Sequence, residues 1–221
     1  MTRLRHRFAT HEFGELDVHV RSLRDTQEFQ DDAGEASDLG IYEAQWALFG
    51  VLWASSDALA RLMSHYDVAG RRILEVGCGL GMASLVLTQR HSDITATDQH
   101  PEAEAYLAFN AALNGHEPVP FTRTGWIDDD DQLGRFDLII GSDLLYERDH
   151  PALLAAFIDR HAAPTCEVLL ADGGRGGLGR FARALEACGF TRCAAIERHP
   201  DDPVDPLGRP IARFQRRVTE T

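Results

Sequence analysis

Two rhythms of apolar and polar positions run along this 221-residue chain. The first is a strand rhythm. Phe8, Phe13, Leu16, Val18 and Val20 are interleaved with polar residues, most regularly from Leu16 to Val20, and Gly14 falls where a turn would join two strands. That pattern predicts a small hairpin. Residues 25–38 are polar and acidic and are expected to form a loop, either a cap over a site or a surface arm. The second rhythm is helical. Ser56 stands at an N-cap position, and Leu59, Leu62, Met63 and Tyr66 follow at i, i+3, i+4 and i+7, which predicts a helix ending near Asp67.

Beyond residue 70 the two rhythms alternate. Ile73, Leu74 and Val76 form a short apolar run, and residues 82–89 read as a helix. Ile94 and Ala96 alternate as a second strand, and residues 102–114 read as a helix with Pro101 at its start and Gly115 past its end. Residues 119–122 make a short third strand and residues 136–140 a buried fourth. His150-Pro151 opens a helix with Leu154, Phe157, Ile158 and His161 on one face, His161 at its wet end. Residues 167–171 form a fifth strand. Residues 172–177 are a glycine-rich loop without the Lys-Ser/Thr ending of a phosphate loop, and Leu178, Phe181, Ala182 and Leu185 mark another helix. Residues 190–198 and 211–218 alternate as two last strands, joined by a link carrying Pro200, Pro203, Pro206 and Pro210. Strands alternating with helices predict an α/β protein.

The stretch around the first of these strands carries the candidate chemistry. Three alternating glycines, Gly77, Gly79 and Gly81, separate it from the helix that follows. Glycine lets the backbone take positive φ and lets a ligand touch the main chain. The start of the helix offers unpaired N–H groups to a polar ligand. The dinucleotide fingerprint G-x-G-x-x-G is not met, because its third glycine falls on Met82. The pattern is instead Glu75-x-Gly77-x-Gly79-x-Gly81, with Asp98 nineteen residues after Gly79. An acid in that place can accept hydrogen bonds from two ribose hydroxyls.

Residues 75–81, Asp98 and the later Ser142-Asp143-Leu144-Leu145-Tyr146 together resemble the S-adenosylmethionine-dependent methyltransferases of the seven-β-strand class. Within that class they resemble methyltransferase family 16, which methylates lysines on non-histone proteins and carries Asp-x-x-Tyr or Asp-x-x-Phe after its fourth strand. The resemblance covers roughly residues 40–200. It implies a Rossmann-like seven-stranded sheet with helices on both faces and a C-terminal antiparallel strand pair. Residues 1–39 are then an N-terminal extension, and residues 40–221 the methyltransferase domain. The cofactor implied is S-adenosyl-L-methionine, with Trp53, Glu75, Gly77, Gly79, Gly81, Asp98, Gln99, Trp126 and Ser142 around it. Asp98 is expected on the ribose, Trp126 near the adenine and Ser142 lining by its backbone. Glu75 is expected to act indirectly on the methionine end. Trp53 closes the pocket or is an ordinary core aromatic; the family's Trp-Pro-Ser reads Trp53-Ala54-Ser55 here. Trp126 likewise has the alternative of anchoring its loop.

The resemblance places Asp143 and Tyr146 at the acceptor. If their segment turns as a helix, residues three apart face one side. The carboxylate would then orient an ammonium through a charge-assisted bond, and the phenol would supply a flat wall. Asp143 is not expected to be a strong base, since a carboxylate holding an ammonium favours the protonated form. The alternative for the pair is a helix N-cap and a core tyrosine. Methyl transfer by in-line displacement calls for alignment of nucleophile, methyl and sulfur, and the sequence offers no clear metal site.

Composition narrows the partners. The net charge is −13, with 35 acids against 22 bases, and every one of those bases is arginine. Nucleic-acid binders concentrate positive charge, so nucleic acid is disfavoured and a lysine-bearing protein is the expected partner, with a small-molecule acceptor as the alternative. No apolar run approaches the roughly 18–20 residues of a membrane span. The basic start is not followed by an apolar signal core, so a cytoplasmic protein is expected. Cys78, Cys166, Cys188 and Cys193 have no C-x-x-C spacing and are expected as reduced thiols. A nicotinamide-dependent oxidoreductase is disfavoured by Met82 and the C-terminal strand pair. A cofactor-binding module without catalysis is disfavoured because the glycines, Asp98 and Asp143 are all present.

Overall fold

The computed structural model describes residues 4–128, 133–197 and 210–217. The chain opens with the antiparallel hairpin of β1 (His6–Phe13) and β2 (Leu16–Leu23), turning at Gly14. The acidic stretch after it is not wholly loop: it holds a 3-10 turn at Thr26–Glu28 and the four-residue α1 (Glu35–Asp38). Then come α2 (Ala54–Met63), β3 (Arg72–Val76), α3 (Met82–Gln89), β4 (Asp93–Asp98) and α4 (Ala103–Leu113). They are followed by β5 (Phe121–Arg123), β6 (Phe136–Ser142), α5 (His150–His161), β7 (Ala162–Ala171), α6 (Leu178–Ala187), β8 (Thr191–Arg192) and β9 (Ala212–Arg216).

Strands β3 to β9 form one seven-stranded sheet in the order β5-β4-β3-β6-β7-β9-β8. Strands β3 to β7 pair in parallel, while β9 inserts antiparallel between β7 and β8. This is the expected Rossmann-like sheet with its C-terminal antiparallel strand pair. Side chains alternate across the sheet. Ile73, Leu138, Ile140 and Leu169 pack into the core shared with α2, α3 and α4. Leu74, Val76, Ile139, Val168 and Leu170 pack into the core shared with α5 and α6. Both faces are therefore covered, as a parallel sheet requires.

The hairpin is welded to the first of these layers. Phe13, Val18, Val20 and Leu23 join the core of α2, α3 and α4. The outer edge of β2 is satisfied by two asparagines one turn apart on α4. Asn110 accepts from the Arg21 N–H at 2.8 Å and donates to its carbonyl at 3.3 Å; Asn114 does the same for His19, at 2.8 and 2.7 Å. A strand edge is thus closed by side chains instead of by another strand. Replacing the fully buried Asn110 with alanine leaves the backbone N–H and carbonyl of Arg21 unpaired, which costs about 2 kcal/mol. Urea unfolding should show the midpoint falling with an unchanged slope.

Several boundaries shift from the sequence reading. Helix α2 begins two residues before Ser56, with Trp53 at its N-cap, and ends before Tyr66. Ser56 is no cap; its Oγ lies 2.9 Å from the Ser142 Oγ. Pro101 precedes the α4 N-cap, Glu102. Strand β5 begins two residues later than expected and ends one later, and β7 begins at Ala162, directly after α5. His161 is buried, with Nδ1 3.0 Å from the Gly134 carbonyl. Of residues 190–198 the described part has the short β8 and a single bridge between Ile196 and Ile211. Pro200, Pro203 and Pro206 of the link, and three of the four aspartates at 128–131, lie outside the described residues.

Candidate active site

The loop between β3 and α3 is shaped by its glycines. Gly77, Gly79 and Gly81 have φ of 60°, 53° and 71°. At Gly79 a Cβ would also stand 3.0 Å from the Phe49 carbonyl oxygen, so the residue is constrained by space as well as by conformation. The N-cap of helix α3 is Gly81, which has no side chain to cap the first turn. Glu75 supplies that cap from the strand: its Oε2 accepts from the Ser84 N–H at 2.9 Å and from the Ser84 hydroxyl. Glu75 does not line the cavity. It stands behind the loop, 2% exposed, and ties β3 to the first turn of α3.

Burial pushes the Glu75 carboxyl up to about 7, against the pull of the two Ser84 hydrogen bonds. Its folded pKa therefore exceeds its unfolded one, near 4.5. For a carboxyl raised in this way the folded state binds the extra proton, so stability falls as pH rises from about 4.5 to about 7. Ionising the group in place costs up to about 3 kcal/mol. Glu75→Gln keeps an acceptor for Ser84 and removes the titration. Thermal midpoints measured from pH 5 to pH 8 should flatten in this variant.

Asp98 leaves the end of β4 beside the same loop. Its Oδ2 accepts from the Gly79 N–H at 2.8 Å and its Oδ1 from the His100 N–H at 2.9 Å. A carboxylate has about four lone-pair sites, so acceptor capacity remains, and the residue lines the cavity. Burial raises its pKa, opposed by the backbone donors around it.

The cavity holds about 300 Å³ over the carboxyl ends of β3, β4 and β6. In an open α/β sheet this is where the strand order reverses and ligands bind. Trp53, Gln99, Trp126, Ser142, Asp143 and Tyr146 all line it with the three glycines and Asp98. Trp53 is fixed by its indole N–H, which donates to the Leu48 carbonyl at 3.2 Å. Trp126 and His150 meet nearly at right angles at 5.0 Å between centroids, and Tyr146 meets the same histidine ring at 4.5 Å. Burial pushes the Tyr146 phenol up to about 12, with Asp98, Glu147 and Asp143 adding to it. The phenol is therefore neutral at physiological pH. Leu144 and Cys78 also line the cavity.

Asp143 departs from the expected local geometry. Residues 143–146 are not helical, and Asp143 has φ of 53°, in the left-handed region. Its N–H donates to the Ala171 carbonyl at 2.9 Å. The turn is made by the ends of β6 and β7, not by helical spacing, and it brings Asp143 and Tyr146 to one cavity. Nor is Asp143 a helix cap: α5 is preceded by Asp149. Three lining side chains escaped the sequence reading. Phe49 and His100 stack at 4.0 Å with an 18° tilt, and burial holds His100 near 4, so it is neutral. His150 has Nδ1 2.8 Å from the Leu144 carbonyl, and burial lowers its pKa also. The position of His150 one residue before Pro151 marks a helix start in sequence and carries no hint of the cavity. Among the described residues no cluster of three metal-ligating side chains exists, and no helix is long and apolar enough to cross a membrane.

Comparison with known proteins adds to this geometry. A family model described as lysine methyltransferase matches residues 24–176. The chain is 31% identical over 146 residues to the electron transfer flavoprotein beta subunit lysine methyltransferase of Rattus norvegicus, covering 64% of this chain and 55% of that one. It is 31% identical over 125 residues to the protein N-lysine methyltransferase METTL21A of Danio rerio, covering 49% of this chain and 55% of that one. The chain thus spans about half the length of the curated relatives it matches. A solved TehB-like SAM-dependent methyltransferase from Corynebacterium glutamicum superposes with a TM-score of 0.59 at 19% identity, over 85% of this chain and 100% of that one, which speaks to the fold.

Proposed function

The chain belongs to the lysine methyltransferase family whose model matches residues 24–176, and from that premise we propose that it transfers a methyl group from S-adenosylmethionine to a lysine side chain of a protein. The observation that carries the reading is that Asp98 and Asp143 leave β4 and β6, the strands flanking β3, into one cavity. One acid suits a ribose and the other a cation. The residues fit the cofactor. Gly79 offers a main-chain surface that a Cβ would fill, Asp98 keeps acceptor capacity for ribose hydroxyls, and Trp126 supplies a flat apolar wall for a base. Glu75 holds the loop from behind through Ser84. When bound, the cofactor supplies a methyl group on a sulfonium, whose C–S bond breaks as the N–C bond forms, leaving a neutral thioether.

The acceptor's charge is the obstacle to transfer. With a pKa of about 10.4, a lysine costs roughly 4.6 kcal/mol to neutralise at pH 7. Asp143 orients the ammonium as it enters. Apolar and aromatic walls at Leu144, Tyr146 and Trp53 strip water from it, which disfavours the charged form. The proton then leaves to water. Tyr146 stays protonated and acts as a wall and hydrogen-bonding group, not as a base.

Incubating the protein with methyl-labelled S-adenosylmethionine and cell extract, then hydrolysing the labelled fraction, tests this reading. The expected product is methyl-lysine. Because the 221 residues contain no lysine, methyl-lysine in the hydrolysate comes from the acceptor and not from the enzyme. Label on another side chain or on a small molecule would move the assignment to a different acceptor class. Cofactor binding without any transfer would reduce the protein to a binding module.

A further inference from the structure

Asp143 is already paired in the free protein. Nε of Arg175 donates to its Oδ1 at 3.4 Å and an Nη to its Oδ2 at 3.3 Å. This is the two-pronged fit that a guanidinium offers a carboxylate. The same guanidinium lies over the Trp53 ring, 5.6 Å from its centroid, within cation–π range. The partners differ in setting: the Asp143 side chain is 9% exposed and that of Arg175 50%. The acid is built into the cavity wall, and the cation is laid on it from outside.

The surrounding loop is made for that placement. Arg175 is flanked by Gly173, Gly174, Gly176 and Gly177. A Cβ on Gly173 would collide with the Asp143 carboxylate, and one on Gly177 would stand 2.6 Å from the Leu145 Cβ. The loop therefore runs flush against the Asp143 segment, and from residues 173–177 Arg175 alone has a side chain to project. Gly174 and Gly176, at φ of 82° and 84°, flank it on either side.

Resting on the reading of Asp143 as the acceptor's cation subsite, we propose that Arg175 is a specificity-determining residue whose guanidinium fills that subsite in the free protein, so that the acceptor lysine binds by displacing it. A half-exposed ion pair of this kind is weak enough to exchange. A neutral side chain has no charge with which to replace the guanidinium on Asp143. The exchange thus selects for a cation and keeps the buried carboxylate paired until an acceptor arrives.

Two measurements on the full chain test the proposal. The first needs no cofactor. n-Butylammonium, which carries the head and stem of a lysine, is titrated while the indole N–H resonance of Trp53 is followed. Arg175→Ala should bind it about fivefold more tightly than the parent protein, and n-butanol should show no such difference. Equal affinity of the two proteins for the cation overturns the proposal. The second uses the absence of lysine from the chain. Arg175→Lys places an acceptor-type amine on Asp143, and incubation with S-adenosylmethionine should methylate it at position 175, read by peptide mass spectrometry. If the parent protein forms methyl-lysine in extract but a folded Arg175→Lys protein, with an unchanged thermal midpoint, carries no methyl group at position 175, Arg175 does not occupy the acceptor subsite and the lysine reading stands. If neither forms methyl-lysine, the proposed function fails and this proposal fails with it.

Discussion

Replacing Asp98 with alanine should lower the affinity for S-adenosylmethionine about 1000-fold while leaving the protein folded. The size follows from the hydrogen bonds at stake. Each bond from a hydroxyl to an ionised carboxylate is worth roughly 1.5–3 kcal/mol, and a ribose offers two. The variant loses more than those contacts, because the Asp98 Oδ2 also accepts from the Gly79 N–H at 2.8 Å and so holds the loop in its ligand-ready shape. The loop is backed independently by Glu75 and Ser84, so its fold should survive. Calorimetric titration of parent and variant, with NAD as the control ligand, measures the effect. An unchanged affinity in the variant would remove Asp98 from the cofactor site, and binding of NAD in place of S-adenosylmethionine would sink the cofactor assignment.

Replacing Asp143 with asparagine should spare cofactor affinity and lower methyl transfer to protein by roughly two to three orders of magnitude. Removing one charge from a desolvated pair costs about 2–5 kcal/mol. The Asp143 side chain is 9% exposed, which puts it in that regime. Asparagine keeps the shape that the positive φ and the contact with the Ala171 carbonyl require. A loss of stability is therefore not the expected cause. Initial rates on a labelled extract fraction, beside the calorimetric affinity, separate the two roles. Loss of cofactor binding in this variant would move Asp143 from the acceptor side to the cofactor side. Full activity would leave it as a structural turn residue.

Much of the cofactor-side loop is legible in the sequence. The run of Ile73, Leu74 and Val76, the alternating glycines and the helix at Met82 are a local signal: each residue's conformational preference agrees with its neighbours'. Asp98 was legible for the same reason, ending a short alternating strand. The hairpin was legible from Leu16 to Val20. The wall residues Phe49, His100 and His150 were not. Nothing in their neighbours distinguishes a ring that lines a cavity from a ring that fills a core. Ser56 shows the same limit. A serine near a helix start reads as a cap, but its hydroxyl is drawn off by Ser142, 86 positions away in the chain.

Sequence alone thus determined the layered α/β plan, the glycine loop and the acids available to it. These follow from periodicity and from backbone freedom, which act within a few residues. The tertiary structure decided how those acids are used. Glu75 became a cap for α3 because packing buried it against Ser84. Asp143 and Tyr146 came to one cavity through a left-handed turn anchored on β7, not through helical spacing. Arg175 was brought to Asp143 across 32 positions of chain. Contacts between residues this far apart depend on strand order and on the closing of the sheet, and no local pattern encodes the partner.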